Sequence, residues 1–156
     1  MITLSDYLEE ELVAFLDVST SDEAIVALID VLDAAGKLKD KDDFYHEVLE
    51  REMTVSTAIS NGVAIPHAKL SCYDDFFVAI GIVKNGVNWN AFDGIPVQLI
   101  FMVGGPDDKQ MHYLQLLSAL TLAVKDKDMR EKIVALSSPE DIVEVLIQEE
   151  EEDYGS

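Results

Sequence analysis

Three histidines, His46, His67 and His112, are the side chains of this 156-residue chain whose charge changes near neutral pH. His67 closes the segment Asn61 to His67, NGVAIPH, in which an apolar run is stopped by a proline and followed at once by an imidazole. Proline fixes its own φ, lacks an N–H and pushes the preceding Ile65 into extended geometry. The sequence therefore predicts a strand that ends at Pro66 with His67 just beyond it, where sites of sheet proteins commonly gather. Gly62 permits close backbone approach, and Ser56, Thr57 and Lys69 bring hydroxyl and ammonium donors into the same stretch. Donors around one imidazole suit an anion. His112 falls in the first turn of a helix expected to begin near Asp108, where free N–H groups and the positive dipole end favour a phosphoryl group. If the two imidazoles approach each other, one can be the nucleophile while the other orients it or binds phosphoryl oxygens. His46, between Tyr45 and Glu47 in a surface helix pattern, reads as a solvated residue.

Other chemistries fit the residue pattern less well. No helical His-x-x-x-His pair and no cysteine cluster occurs, so no metal site is expected, and no cofactor either. There is no Gly-x-Ser-x-Gly elbow, and Cys72 has no neighbouring base in the sequence, so it reads as a passive thiol. Arg51 has two readings that stay open: an ion pair with a helical acid such as Glu47, or a role near phosphate. Trp89 and Phe92 are expected mainly to pack, although their loop could rim a partner surface. Asp93-Gly94 reads as a turn.

Positioning two histidines requires a framework, and the hydrophobic pattern supplies one. Leu12 to Val18 suggests a first strand. Thr20 and Glu23 form a capping box for a helix carrying Ile25, Leu28, Ile29 and Leu32 inward until Gly36 stops it. A second helix is expected over 42–52, with Phe44, Val48 and Leu49 on its inner face. Val63 to Ile65, Phe76 to Val83 and Val97 to Val103 are near-continuous apolar runs, as in strands covered on both faces. Lys84-Asn85-Gly86 is expected to turn a hairpin. Asp107 or Asp108 should cap a helix whose inner stripe is Met111, Leu114, Leu117, Leu120 and Leu122 or Val124. Helices over 128–136 and from Ser138-Pro139 follow. The sum is an α/β fold in one domain: a mixed β-sheet flanked by helices on both sides.

Composition narrows the function further. With 31 acidic and 11 basic residues the formal net charge is −20, which repels nucleic acid and anionic membranes and favours a basic protein partner. A single cysteine excludes an internal disulfide. The start lacks a signal-peptide pattern, and the longest apolar run is far shorter than the roughly 20 residues a spanning helix needs. A cytoplasmic protein without direct membrane insertion is expected. Residues 149–156, beginning EEEED, read as an acidic, disordered tail.

The segments LEREMTVSTAISNGVAIPHAK, WNAFDGIPVQLIFMV and HYLQLLSAL together resemble the fructose/mannitol type of IIA domain of the bacterial sugar phosphotransferase system, including its nitrogen-regulatory members. The resemblance covers nearly the whole chain and assigns 1–148 to such a domain. It implies a phosphocarrier in which His67 accepts a phosphoryl group from phosphohistidine of an HPr-like protein. It passes the group to a separate IIB component, or uses it to control binding to a regulatory target protein. His112 matches the family's assisting histidine, Arg51 an arginine ahead of the active loop, and Ser56-Thr57 its ST pair. Val55, Ala58, Ser60 and Ala68 stand where relatives usually or often carry glycine, which stiffens the loop.

Overall fold

The computed structural model describes residues 2–54 and 56–155. Its centre is a six-stranded mixed sheet of order β1-β5-β6-β3-β2, with β4 also paired to β6. The strands are β1 Val13–Phe15, β2 Ala58–Ser60, β3 Val63–Ala64, β4 His67–Lys69, β5 Phe77–Val87 and β6 Val97–Gly105. β1 lies parallel to β5, and β5 and β6 are antiparallel. The two apolar runs are continuous because both faces of the sheet are covered. Val78, Ile80 and Ile82 of β5 with Phe101 and Val103 of β6 face one core cluster, and Phe77, Ala79 and Val83 with Ile100 and Met102 face the other. This is the period-two alternation of a pleated strand, hidden in a sequence with no polar face.

Helices α1 Ser21–Ala34 and α2 Lys41–Thr54 cover one face. The Thr20 hydroxyl accepts from the Glu23 N–H at 3.1 Å and donates to its carboxylate at 3.2 Å, the side-chain pairing that starts α1. Phe44 and Val48 of α2 are buried as expected, Phe44 meeting Tyr73 edge to face and Phe77 at a tilt. Helices α3 Gln110–Ala123, α4 Lys127–Ala135 and α5 Pro139–Gly155 cover the other face, joined by a 3-10 turn at Leu4–Asp6. The Ser138 hydroxyl accepts from the Asp141 N–H at 3.3 Å at the start of α5.

Several expectations change. Pro66 does not end the ladder: β3 and β4 lie in line on the same edge of β6, and the Val103 N–H donates to the Pro66 carbonyl at 3.0 Å across the gap. The proline loses only its own donor, so His67 opens a strand instead of lying beyond one. Asn61 and Gly62, with φ of 57° and 82°, form the tight turn between β2 and β3, a hairpin signal the sequence reading overlooked, and the close backbone approach expected at Gly62 is present as well, since a Cβ there would lie 3.0 Å from the Pro96 carbonyl oxygen. Lys84-Asn85-Gly86 is a bulge within β5; the chain turns instead through 88–96, where Asp93 accepts from the Asn61 and Ile95 N–H groups.

The inner stripe of α3 is Tyr113, Leu116, Ala119, Leu120 and Ala123, while Met111 and Leu114 are exposed, and Lys109 rather than Asp107 or Asp108 is the N-cap. A helix apolar on nearly all sides does not reveal its buried face by periodicity. Phe92, expected to pack, projects fully into solvent, whereas Trp89 is buried. The acidic segment is also corrected over most of its length. α5 continues to Gly155, Glu149 and Glu150 are buried, and the Glu150 carboxylate accepts the Leu4 N–H through both oxygens at 2.9 Å. A buried carboxylate is tolerated where a backbone donor meets it. Val55 and Ser156 lie outside the described residues.

Candidate functional site

The β4 register places His67 opposite Val103 and Lys69 opposite Gly105, so both side chains leave the same face of the sheet. His67 is half-buried, and its Nδ1 lies 3.2 Å from the Ile65 carbonyl oxygen. A carbonyl can only accept, so Nδ1 carries the proton and Nε2 is left with a free lone pair. Burial lowers the His67 pKa below the ordinary histidine value, and the Arg51 and Lys69 charges push it further down. The Ile65 carbonyl and Glu52 act in the opposite direction but do not reverse the shift. The imidazole is thus held neutral and in one tautomer, the state required of a nitrogen nucleophile.

A cleft of about 330 Å³ opens beside it, lined by Arg51, Thr54, Ser56, Thr57, Ile59, Ile65, His67, Tyr113, Leu117 and Thr121. The structure therefore brings four of the expected site residues together: His67, Arg51, Ser56 and Thr57. Arg51 makes the expected ion pair, its Nε 3.6 Å from Glu47, and its side chain also lines the cleft.

Ser56 and Thr57 do not offer the free hydroxyl donors expected of them. Ser56 donates to the Trp89 carbonyl at 3.0 Å, and the Thr57 hydroxyl donates to Glu52. Glu52 also accepts from the Thr57 N–H at 3.3 Å and from the Trp89 indole at 3.2 Å. These bonds fasten residues 56–57 to the end of α2 and to a buried tryptophan, so both hydroxyl protons are already engaged within the cleft wall. Glu52 was missed because a carboxylate beside an arginine in a helix reads as surface charge.

Lys69 stands outside the cleft lining. Its ammonium lies 4.2 Å over the Tyr113 ring and donates to Gln110 at 2.7 Å. Burial lowers its pKa, and Arg51 adds to that effect. His112 is in the first turn of α3, but it too lies outside the cleft lining: its Nε2 is hydrogen-bonded to the Tyr7 hydroxyl. Its ring stacks on Phe76 at 5.3 Å, Phe76 meets Tyr113 at 6.1 Å, and Tyr113 meets His67 at 5.6 Å. The two histidines are thus joined by a row of aromatic rings. Tyr7 and Tyr113 were not singled out from sequence; Tyr113 follows His112 directly, and only the buried face of α3 shows that it turns inward. His46 is exposed on α2 and Cys72 is an exposed free thiol. Among the described residues no group of histidine, cysteine and acidic side chains could hold a metal ion, and no helix is long and apolar enough to cross a membrane.

Comparison with known proteins agrees with the architecture. The family model described as "Phosphoenolpyruvate-dependent sugar phosphotransferase system, EIIA 2" matches residues 6–149. A fructose-specific EIIA component from Haloferax volcanii is 33% identical over 130 residues, which is 83% of this chain and 84% of that protein. A fructose-specific EIIABC component from Bacillus subtilis is 32% identical over 127 residues, or 81% of this chain, but the match spans 20% of that longer protein. The crystal structure of the nitrogen regulatory protein IIA-Ntr from Neisseria meningitidis superposes with a TM-score of 0.84 at 26% identity, covering 92% of this chain and 98% of that one.

Proposed function

Because this chain belongs to the EIIA 2 family of the phosphoenolpyruvate-dependent sugar phosphotransferase system, whose members act as phosphocarriers, we propose that His67 Nε2 is its phosphoryl acceptor. The donor is phosphohistidine of an HPr-like protein, and the acceptor is a IIB component on a separate polypeptide during sugar uptake. The observation that carries the reading is the Nδ1–H bond from His67 to the Ile65 carbonyl, which leaves Nε2 as the nucleophile beside an arginine-lined cleft. The Nε2 lone pair forms the new P–N bond as the donor's P–N bond breaks and its electron pair returns to the donor imidazole. Phosphoryl His67 keeps its Nδ1 proton, and the Ile65 carbonyl stabilises the positive ring until the group moves on.

Arg51 faces the phosphoryl oxygens as a fixed positive charge. Lys69 raises the local potential from behind Tyr113, and Ser56 and Thr57 keep the wall in place. His112, held at Nε2 by Tyr7, supports the site from the first turn of α3. Met53, Ile59, Met111 and Leu114 are exposed on the elements that line the cleft, as suits transient docking of a protein and not enclosure of a sugar. A cytoplasmic site of action fits these soluble partners.

A second reading is favoured by the close superposition on the Neisseria IIA-Ntr structure: phosphorylation of His67 switches binding to a regulatory target instead of feeding sugar uptake. Incubation with a phosphorylated HPr-type donor should give one base-stable, acid-labile phosphoryl group per chain, absent in His67→Ala. Labelling retained in that variant would remove His67 as the acceptor. Onward transfer to candidate IIB proteins then separates the two readings.

A further inference from the structure

Five hydroxyl-bearing side chains line the His67 cleft: Thr54, Ser56, Thr57, Tyr113 and Thr121. Four of them donate within the protein, Thr54 to the Glu50 carbonyl, Ser56 to the Trp89 carbonyl, Thr57 to Glu52, and Thr121 to the carbonyls of Leu117 and Ser118. Tyr113 is the exception. It is 5% exposed, and among the described residues its hydroxyl has no hydrogen-bond partner. Buried phenol groups are normally paired, so one left open against a cleft calls for a partner that enters the cleft.

The surroundings define that partner as an oxyanion. The ring is fixed on three sides, with His67 at 5.6 Å, Phe76 at 6.1 Å and the Lys69 ammonium 4.2 Å from its centroid. The Arg51 guanidinium lines the same cleft and is close enough to influence both His67 and Tyr113 electrostatically. We propose that the Tyr113 hydroxyl is a phosphoryl-binding donor, contacting an oxygen of the group while it resides on His67. This rests on the phosphocarrier reading and adds to it a ligand-touching residue. The proton stays on the phenol oxygen throughout; the phosphoryl oxygen only accepts the hydrogen bond. Burial pushes the Tyr113 pKa up to about 12, against a smaller opposing effect of Arg51, so the hydroxyl remains a donor across neutral pH. The same bond secures the group in the carrier and aligns it for departure.

Two measurements test the assignment. Tyr113→Phe removes one oxygen and keeps every ring contact. Transfer from a phosphorylated HPr-type donor should slow by about tenfold, the order expected for one lost hydrogen bond, while the unphosphorylated variant unfolds at the same temperature or higher. An unchanged transfer rate would overturn the proposal. The second measurement needs no variant: the chain is labelled with ¹³C at the tyrosine ζ carbons and phosphorylated with phosphoramidate, a small P–N donor that requires no partner protein. Of the five tyrosines, Tyr113 should show the largest ζ-carbon shift on phosphorylation of His67. Labelling of His67 without that shift refutes the contact even if the function stands. Labelling by phosphoramidate with the shift, but none from protein donors, would keep the contact and remove the phosphocarrier function. No label at His67 from either reagent removes both.

Discussion

Gly105→Ala tests whether the site depends on close packing beneath it. Gly105 ends β6 opposite Lys69, and its carbonyl accepts the Leu70 N–H at 2.9 Å, so its backbone is held by β4. A Cβ there would lie 2.2 Å from Phe76 Cδ1 and 2.7 Å from Cε1, against a comfortable carbon separation of about 3.5–4 Å. More than an ångström must be found. Phe76 is 5% exposed and packed against both His112 and Tyr113, so its ring cannot shift that far without disturbing both contacts. The cost belongs at the upper end of overpacking, about 3 kcal/mol. For a domain of this size each kcal/mol lowers Tm by about 2–4 °C, so circular dichroism melts should show a loss of about 6–12 °C. Gly36→Ala is the control. Its φ is 76° with nothing within 4 Å of the new methyl, so only backbone conformation contributes, about 1–2 kcal/mol. A Gly105→Ala melt lowered by less than about 2 °C, or by less than that of Gly36→Ala, would refute the packing argument.

Two further outcomes follow from the electrostatics. Because the His67 pKa is lowered, phosphoryl acceptance should stay flat as pH falls through about 6.5 and decline only below it; a half-maximal rate at pH 6.5 or above, in a pH-rate profile corrected for the donor, would contradict a buried neutral imidazole. In that same window the unfolded chain binds the proton that folded His67 refuses. Stability must therefore fall on acidification from about 6.5 toward the lowered value, and urea titrations of His67→Gln should show a shallower fall. Glu150→Ala leaves the buried Leu4 N–H without its carboxylate and should cost about 1.5–3 kcal/mol, with faster hydrogen exchange at Leu4; unchanged stability and exchange would mean that the bond contributes nothing.

The sequence was most informative where a local rule coincides with the tertiary demand. The Thr20–Glu23 box, the Ser138-Pro139 start and the two long apolar runs all became what their chemistry required. Legibility failed where several faces of one element looked alike. The apolar circumference of α3 concealed that Tyr113 and not Met111 turns inward, and this hid a residue of the cleft. The acidic run at 149–150 failed for the opposite reason: charge argued for solvent, and only a contact 146 residues away gives Glu150 a donor. His67 and Arg51 could be placed near one another by resemblance. The tautomer of His67 could not, because it depends on the carbonyl direction of Ile65, which the chain acquires only by pairing on both sides of Pro66 along β6.

The hydrogen bond between Leu4 and Glu150 also has an architectural consequence. It ties the first turn of the folded unit to the last helix, about one and a half turns before that helix ends at Gly155. A unit built this way can be spliced into a host polypeptide through a single doorway, because the host chain leaves and resumes at nearly the same place. It should equally tolerate circular permutation, with a short linker running from the end of α5 back to the 3-10 turn at Leu4 and new ends opened at the solvent-facing loop around Phe92 and Gly94.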